Sequence, residues 1–392
     1  MTAQPDVARI TDLLARLVAI DTQNPPGGEM PAASLLADAL RDAGFATELR
    51  ALPGGRANVL ARLDNGPGPV LAFNSHLDTV PVGEGWSTDP LHLVERDGRL
   101  YGRGACDAKG QVSAMAEAGR LLLDARQDWR GTLLLAFVAD EEVGGIGART
   151  IGRDGPRIDW VVVGEPTGNA VCAGHKGCVR PLLRVAGRAA HSSTPERGVN
   201  AILAAGRLLP LLAEHDAMLR RRTHPLLGPA SLTVTRIAGG IADNIVPDGC
   251  EIVLDRRLLP GETPEAALAE IEAVLDRARR EQAVNAALVR VRTAAGAAVT
   301  PDGSPLLAAA LEASPRHGVT AAQPIGFTGG SDLVHFCDAG ATGLLLGPGS
   351  LAVAHQPDEF VPRDELVQAA LIYRDIALAM LRPDAPGAPP DQ

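Results

Sequence analysis

Three uninterrupted apolar runs in the first half of the chain each end abruptly in charged or imidazole side chains. Val70-Leu71-Ala72-Phe73 leads into Asn74-Ser75-His76-Leu77-Asp78. Residues 133–138 lead into Ala139-Asp140-Glu141-Glu142, and residues 160–163 into Gly164-Glu165. A strand that is apolar on both faces must be covered on both faces, as in a parallel sheet held between helices. Apolar residues at helical spacing over 7–20, 32–43 and 112–123 supply the covering layers. The alternation predicts an α/β domain with a mostly parallel central sheet. In such sheets, sites form beyond the carboxyl ends of the strands, so the three polar termini are expected to converge at one edge.

The middle of the chain reads differently. Strand patterns at 179–185, 232–237, 251–258 and 287–291 interleave with helical patterns at 201–219 and 264–280. This β-α-β-β-α-β order is that of a ferredoxin-like α+β unit. Alternating α/β character resumes after it. The predicted organisation is a catalytic domain in two parts, 1–176 and 298–392, with a smaller domain inserted over 177–297. A chain of 392 residues is long enough to give each its own core. The Pro-rich stretch after Leu381 is expected to be disordered.

Composition narrows the functional classes. The formal net charge of −10 and the lack of a basic tract argue against a nucleic-acid partner. No apolar run reaches membrane-spanning length, and the first residues lack the features of a signal peptide. Five scattered cysteines without a C-x-x-C pair suit free thiols, so a cytoplasmic protein is expected. Lysine occurs only at 109 and 176, in the Gly-flanked segments Asp107-Ala108-Lys109-Gly110 and His175-Lys176-Gly177. In a chain that otherwise uses arginine, both are expected near the active site, because a compact ammonium is not freely replaced in a tight space.

Four carboxylate-bearing segments and a late histidine, His355, form the chemical core of the reading. Asp107 lies in a loop just before a helix, and an N-cap role is compatible with its position. Convergent carboxylates repel unless neutralised, and imidazole with carboxylate is a usual ligand set for zinc, manganese or cobalt. His76 and Asp78 share a face of an extended segment, so Asp78 is expected to orient His76. Glu141 and Glu142 point opposite ways if extended. One could hold a cation while the other takes a proton from water, and Glu142 and Glu141 are assigned these roles respectively. A solvated acidic turn is the competing reading of that pair, and it is disfavoured because the pair ends an apolar strand among the other polar segments.

The segments Ser75-His76-Leu77-Asp78-Thr79-Val80-Pro81, G-R-G-x-x-D-x-K-G at 102–110, D-E-E-x-G-G at 140–145, Gly164-Glu165-Pro166-Thr167 and A-H-x-P-D-E at 354–359 together resemble the M20 metallopeptidase family. Within it, His175-Lys176-Gly177 and residues 257–262 look most like the acetylornithine deacetylase and succinyl-diaminopimelate desuccinylase branch. The resemblance implies two divalent cations, zinc first and cobalt or manganese next. His76, Asp107 and Glu165 would hold one, and Asp107, Glu142 and His355 the other. Glu141 would be the general acid/base, and the peptide after Asp107 would be cis. The inserted domain would be a lid that also forms a homodimer. His191 would stabilise an oxyanion from the partner subunit. Asn244 and Arg257 would bind a substrate carboxylate, and Gly329-Gly330-Ser331 would form a substrate loop. The implied reaction is hydrolysis of an N-acetyl or N-succinyl amino acid. A dipeptidase or carboxypeptidase of the same family and a non-catalytic binding protein are the alternatives.

Overall fold

The computed structural model describes residues 4–321 and 323–382; the stretch beyond Arg382 lies outside the described residues. The chain divides into two compact units. One comprises the chain up to Gly174, Val299–Phe327 and Ser331 onward; the other comprises His175–Ala298 with Thr328–Gly330. Gly329 and Gly330 thus fall in the second unit and Ser331 in the first.

The first unit is organised by a sheet whose centre is parallel. Gly131–Val138, Val70–His76, Trp160–Val163 and Thr342–Leu345 lie side by side in that order, all in the same direction. The hairpin Ala46–Leu52 and Arg56–Asn65 extends one side antiparallel, and Cys172–His175 joins the other side antiparallel. Gly131–Val138 is buried along its whole length, as its continuous apolar run requires. Registers align the carboxyl ends: His76 lies opposite Val138, Asn74 opposite Val163, and Leu345 opposite Val163. Each loop that follows one of the four parallel strands at this edge carries one of the acidic or imidazole segments.

Helices cover the sheet by the expected stripes. Val7–Val18 starts at Asp6, whose carboxylate accepts the Arg9 N–H, and buries Ile10, Leu13, Leu14, Leu17 and Val18. Lys109–Asp124 is buried nearly all round because its residues are small: Ala114, Ala116, Ala118 and Gly119 let neighbours approach. A Cβ on Gly119 would stand 2.7 Å from the Phe45 ring. Lys109 lies two residues after Asp107, near the expected site, with its ammonium turned to a packing role. Its buried Nζ donates to the carbonyls of Leu17 and Ile20, closing the end of the first helix. The Leu17 carbonyl also accepts the Ile20 N–H at 3.2 Å, so the ammonium adds to the closure of the helix end and ties two helices together. Burial holds its pKa down at about 8.

The second unit has the strands Ser231–Gly239, Gly249–Leu258, Gly177–Ala186 and Ala286–Ala295 in that spatial order, all antiparallel. In chain order this is 2-3-1-4, the arrangement of a β-α-β-β-α-β unit. Helices Ala201–Leu219 and Pro264–Gln282 close over the sheet around Leu183, Leu208, Leu212, Ile252, Leu254, Ile271 and Leu275. Asn200 and Thr263 cap the two helices through their side-chain oxygens. Ser231–Gly239 is an edge strand, and most of it is exposed on both faces.

Candidate metal centre and active site

His76, Asp107 and Glu142 present one ligand atom each within 4.8 Å of one another. They come from the end of Val70–His76, the loop before Lys109–Asp124, and the loop after Gly131–Val138. His76 Nε2 lies 3.0 Å from Asp107 Oδ1, and His355 Nε2 lies 3.3 Å from Asp107 Oδ2 and 3.2 Å from Glu142 Oε1. Asp107 thus offers one oxygen to each histidine. The Asp107–Ala108 peptide is cis, and the Asp107 side chain makes no cap to the helix it precedes.

The donor chemistry fits a divalent cation. His76 Nδ1 lies 2.9 Å from the main-chain oxygen of Asp78, to which a ring N–H must donate. In the neutral ring the lone pair is then on Nε2, facing a carboxylate oxygen, a pairing that calls for positive charge. Glu165 is buried with Oε1 unpartnered among the described residues. Burial and then the charge of Asp107 push its carboxyl well above the ordinary range. His355 is raised to about 10 by its bonds to Asp107 and Glu142. Against the cost of burial, the bonds from His355 and His76 hold Asp107 below the usual carboxylate range. The cluster is short of positive charge, and imidazole plus carboxylate oxygens are suitable ligands to supply it with zinc or a similar ion.

Asp78 contacts His76 as expected and takes a second task besides. Its carboxylate stands 3.6 Å from His76 Nδ1, while its carbonyl makes the hydrogen bond. The carboxylate also accepts the N–H groups of Glu141 at 3.0 Å and Glu142 at 3.1 Å. It therefore fixes the turn that carries both glutamates. Asp140 enters that turn at φ 71, in the left-handed region, and its carbonyl accepts from Gly144. Desolvation pushes the Glu141 carboxyl well up, and the Glu165 charge adds to it. A desolvated carboxylate is basic enough to take a proton from an activated water.

Beneath the turn lies a layer that the sequence reading missed. Asn24 Nδ2 donates to Asp78 at 2.8 Å and to Asp140 at 3.0 Å. Asn24 Oδ1 accepts from Arg56, which also pairs with Glu29 and Asp140. Gly27, at φ +86, leaves the space that the Arg56 guanidinium fills. The segment Asn24-Pro25-Pro26-Gly27 was the available signal, since two prolines beside glycines mark a specific turn. Its partners could not be named from spacing.

In the second unit the structure brings His191 and Asn244 together. Ala190–His191 pairs with Ile245–Val246, and Ser192 N donates to the Asn244 carbonyl at 3.0 Å. His191 is exposed, and its Nδ1 accepts the Ser193 backbone N–H at 3.1 Å. A backbone N–H can only donate, so the proton of the neutral ring sits on Nε2, which is left to donate outward. Arg257 is about a quarter exposed and pairs with Asp255 at 2.7 Å. Arg256 points into the core and pairs with Glu262. The Lys176 ammonium donates to the Pro229 carbonyl at 2.6 Å, and burial pushes His175 down to about 4. Ser331 is buried and its hydroxyl accepts from Leu333 N. Gly329 is half-buried and Gly330 exposed.

Comparison with known proteins adds an independent line. The chain matches the family described as Peptidase family M20/M25/M40 over residues 72–379. It is 36% identical over 315 residues to an acetylornithine deacetylase of Myxococcus xanthus, covering 79% of this chain and 80% of that one. It is 32% identical over 338 residues to an acetylornithine deacetylase of Vibrio parahaemolyticus, covering 84% and 86%. In fold it is similar to an M20 family metallo-carboxypeptidase of Sulfolobus solfataricus, with TM-score 0.82 at 19% identity, covering 94% and 98% of the two chains. The aminopeptidase PepT of Bacillus cereus follows at TM-score 0.77 and 22% identity, covering 96% and 99%. A sheet edge that gathers His76, Asp107, Glu142 and His355, and a family match spanning that whole edge, lead to one conclusion: the chain belongs to peptidase family M20/M25/M40.

Proposed function

We propose that this protein is a metal-dependent amidohydrolase that removes the acyl group from an N-acyl amino acid, acetyl or succinyl. The observation that carries the reading is Asp107 lying between His76 and His355, one carboxylate oxygen to each. The deacetylase relatives at 36% and 32% identity support the substrate class.

His76, Asp107 and Glu165 would hold one divalent cation, and Asp107, Glu142 and His355 the other. Zinc is the first candidate, and cobalt and manganese suit the same donors. When bound, the cations supply the charge that polarises the acyl carbonyl and makes water acidic near neutrality. Glu141, held in place by the Asp78 carboxylate, takes the water proton and passes it to the leaving amine. Arg257 grips the substrate carboxylate with its planar fork, Asn244 assists, and the Gly329-Gly330-Ser331 loop borders the substrate. His191, with its proton on Nε2, donates to the oxyanion, a contribution of about 3–4 kcal/mol to the transition state.

The second unit also forms a homodimer in this reading, supplying His191 to the partner's site. Support comes from its exposed edge strand, which carries Ile237, and from the exposed apolar Ile202, Leu203 and Ile241, with Ile241 84% exposed. Among the described residues no helix is long and apolar enough to cross a membrane, and a cytoplasmic site of action suits the free thiols.

The test is a panel of N-acetyl and N-succinyl amino acids and dipeptides, assayed after chelation and reloading with zinc, cobalt or manganese. Turnover of the N-acyl amino acids that disappears on chelation and returns with metal is expected. Cleavage of dipeptides alone would replace the reading with a peptidase. No turnover by fully loaded protein would make the chain a binding homologue.

A further inference from the structure

We propose that the buried ion pair Arg103–Glu359 is the positioning device of the metal centre, setting the bridging aspartate and tying together the loops that carry the metal-facing residues. The inference rests on the metal-centre reading above and goes beyond it, since neither residue faces the cluster of ligands.

Glu359 is completely buried, and its carboxylate accepts three donors. Oε1 takes the N–H of Cys106 at 3.0 Å and of Asp107 at 3.1 Å, and Oε2 takes Arg103 Nη1 at 2.5 Å. The Glu359 carbonyl accepts a fourth, from Gly102 N at 3.0 Å. The Asp107 loop is therefore seated at both its ends on one residue. That residue is four positions after His355, so the same carboxylate sets where the His355 loop stops. Arg103 is 1% exposed and carries the tie to the third loop. Its Nη2 donates to the Pro81 and Val82 carbonyls, just past His76 and Asp78, and the Trp86 ring covers the guanidinium at 5.1 Å.

Burying two charges is costly and seldom justified by stability alone. Two backbone N–H groups aimed at one carboxylate oxygen define the direction of the following side chain more tightly than apolar packing does. Residues that orient ligands typically change metal affinity by about 10–100-fold when removed.

The test separates positioning from stability by removing both charges at once, which is often neutral or stabilising in a core. Two double variants differ only in whether position 359 retains an acceptor oxygen: Arg103→Met with Glu359→Gln, and Arg103→Met with Glu359→Leu. Each is stripped of metal and titrated with zinc against a chromophoric chelator. Cobalt absorption reports coordination, and thermal unfolding of the metal-free proteins reports folding. The Leu variant is expected to fold and to bind zinc about 10–100-fold more weakly than wild type with an altered cobalt spectrum, while the Gln variant stays within a few-fold. Equal zinc affinity in the two folded variants overturns the proposal, and so does unfolding of both, which would make the pair a determinant of the fold. Failure of the wild-type protein itself to bind zinc or cobalt would instead sink the metal-centre reading.

Discussion

The two units treat their polar groups in opposite ways. In the first, His76, Asp78 and Asp107 are buried, and a surrounding layer of Asn24, Arg56, Arg103 and Glu359 hydrogen-bonds to them, to their loops or to one another. In the second, His191 and Asn244 are exposed, and their hydrogen bonds among the described residues run to near neighbours in their own small ladder. Burial with satisfied partners holds a group in one geometry, whereas an exposed group is held only by its turn. The first unit can therefore prearrange the bond-breaking chemistry from its own residues. The candidate groups of the second unit are displayed outward, as suits groups completed by a substrate or a partner subunit.

Three variants put this contrast at risk. The largest effect is expected in the prearranged unit. Glu141→Gln should lower kcat by about 10²–10⁴-fold, with metal content by elemental analysis unchanged. Loss of metal in that variant would mean that Glu141 and Glu142 have been given each other's roles. Next comes the displayed unit: His191→Ala should lower kcat by about 10²–10³-fold with little change in KM. Mixing His191→Ala with Glu141→Gln protomers sharpens the point. If His191 acts across a dimer, reassortment should restore about a quarter of the sites, because one site of each mixed dimer then carries both native groups. No recovery after verified subunit exchange would place His191 in its own subunit's site. The smallest effect is expected at the apolar face. If the protein forms the dimer proposed above, Leu203, 66% exposed, changed to Asp should raise its dissociation constant about tenfold by sedimentation, and an unchanged mass distribution would take this face out of the proposed interface.

Much of the architecture was legible because periodicity is a local property. The buried runs at 70–73, 133–138 and 160–163 became the parallel strands Val70–His76, Gly131–Val138 and Trp160–Val163, and the inserted β-α-β-β-α-β order appeared element by element. The hairpin Ala46–Leu52 and Arg56–Asn65 was not read, since its outer strand buries neither face and so has no alternation to detect. Asp78 was read as the orienter of His76 because the two are close in sequence. It does meet His76 Nδ1, and its carboxylate also accepts the N–H groups of Glu141 and Glu142, more than sixty residues away, which closeness in sequence could not show.

The order of apolar runs and the residue types at their ends determined the α/β scaffold, the inserted unit and the edge at which acids and histidines gather. That much follows from the hydrophobic effect and hydrogen-bond periodicity acting along the chain. Which carboxylate holds which N–H, and that Glu359 and Arg103 clasp the loop of Asp107, was decided by tertiary structure alone. A hydrogen bond requires donor and acceptor within about 3 Å, and closeness of that kind between positions 107 and 359 exists only once the sheet has brought its loops together.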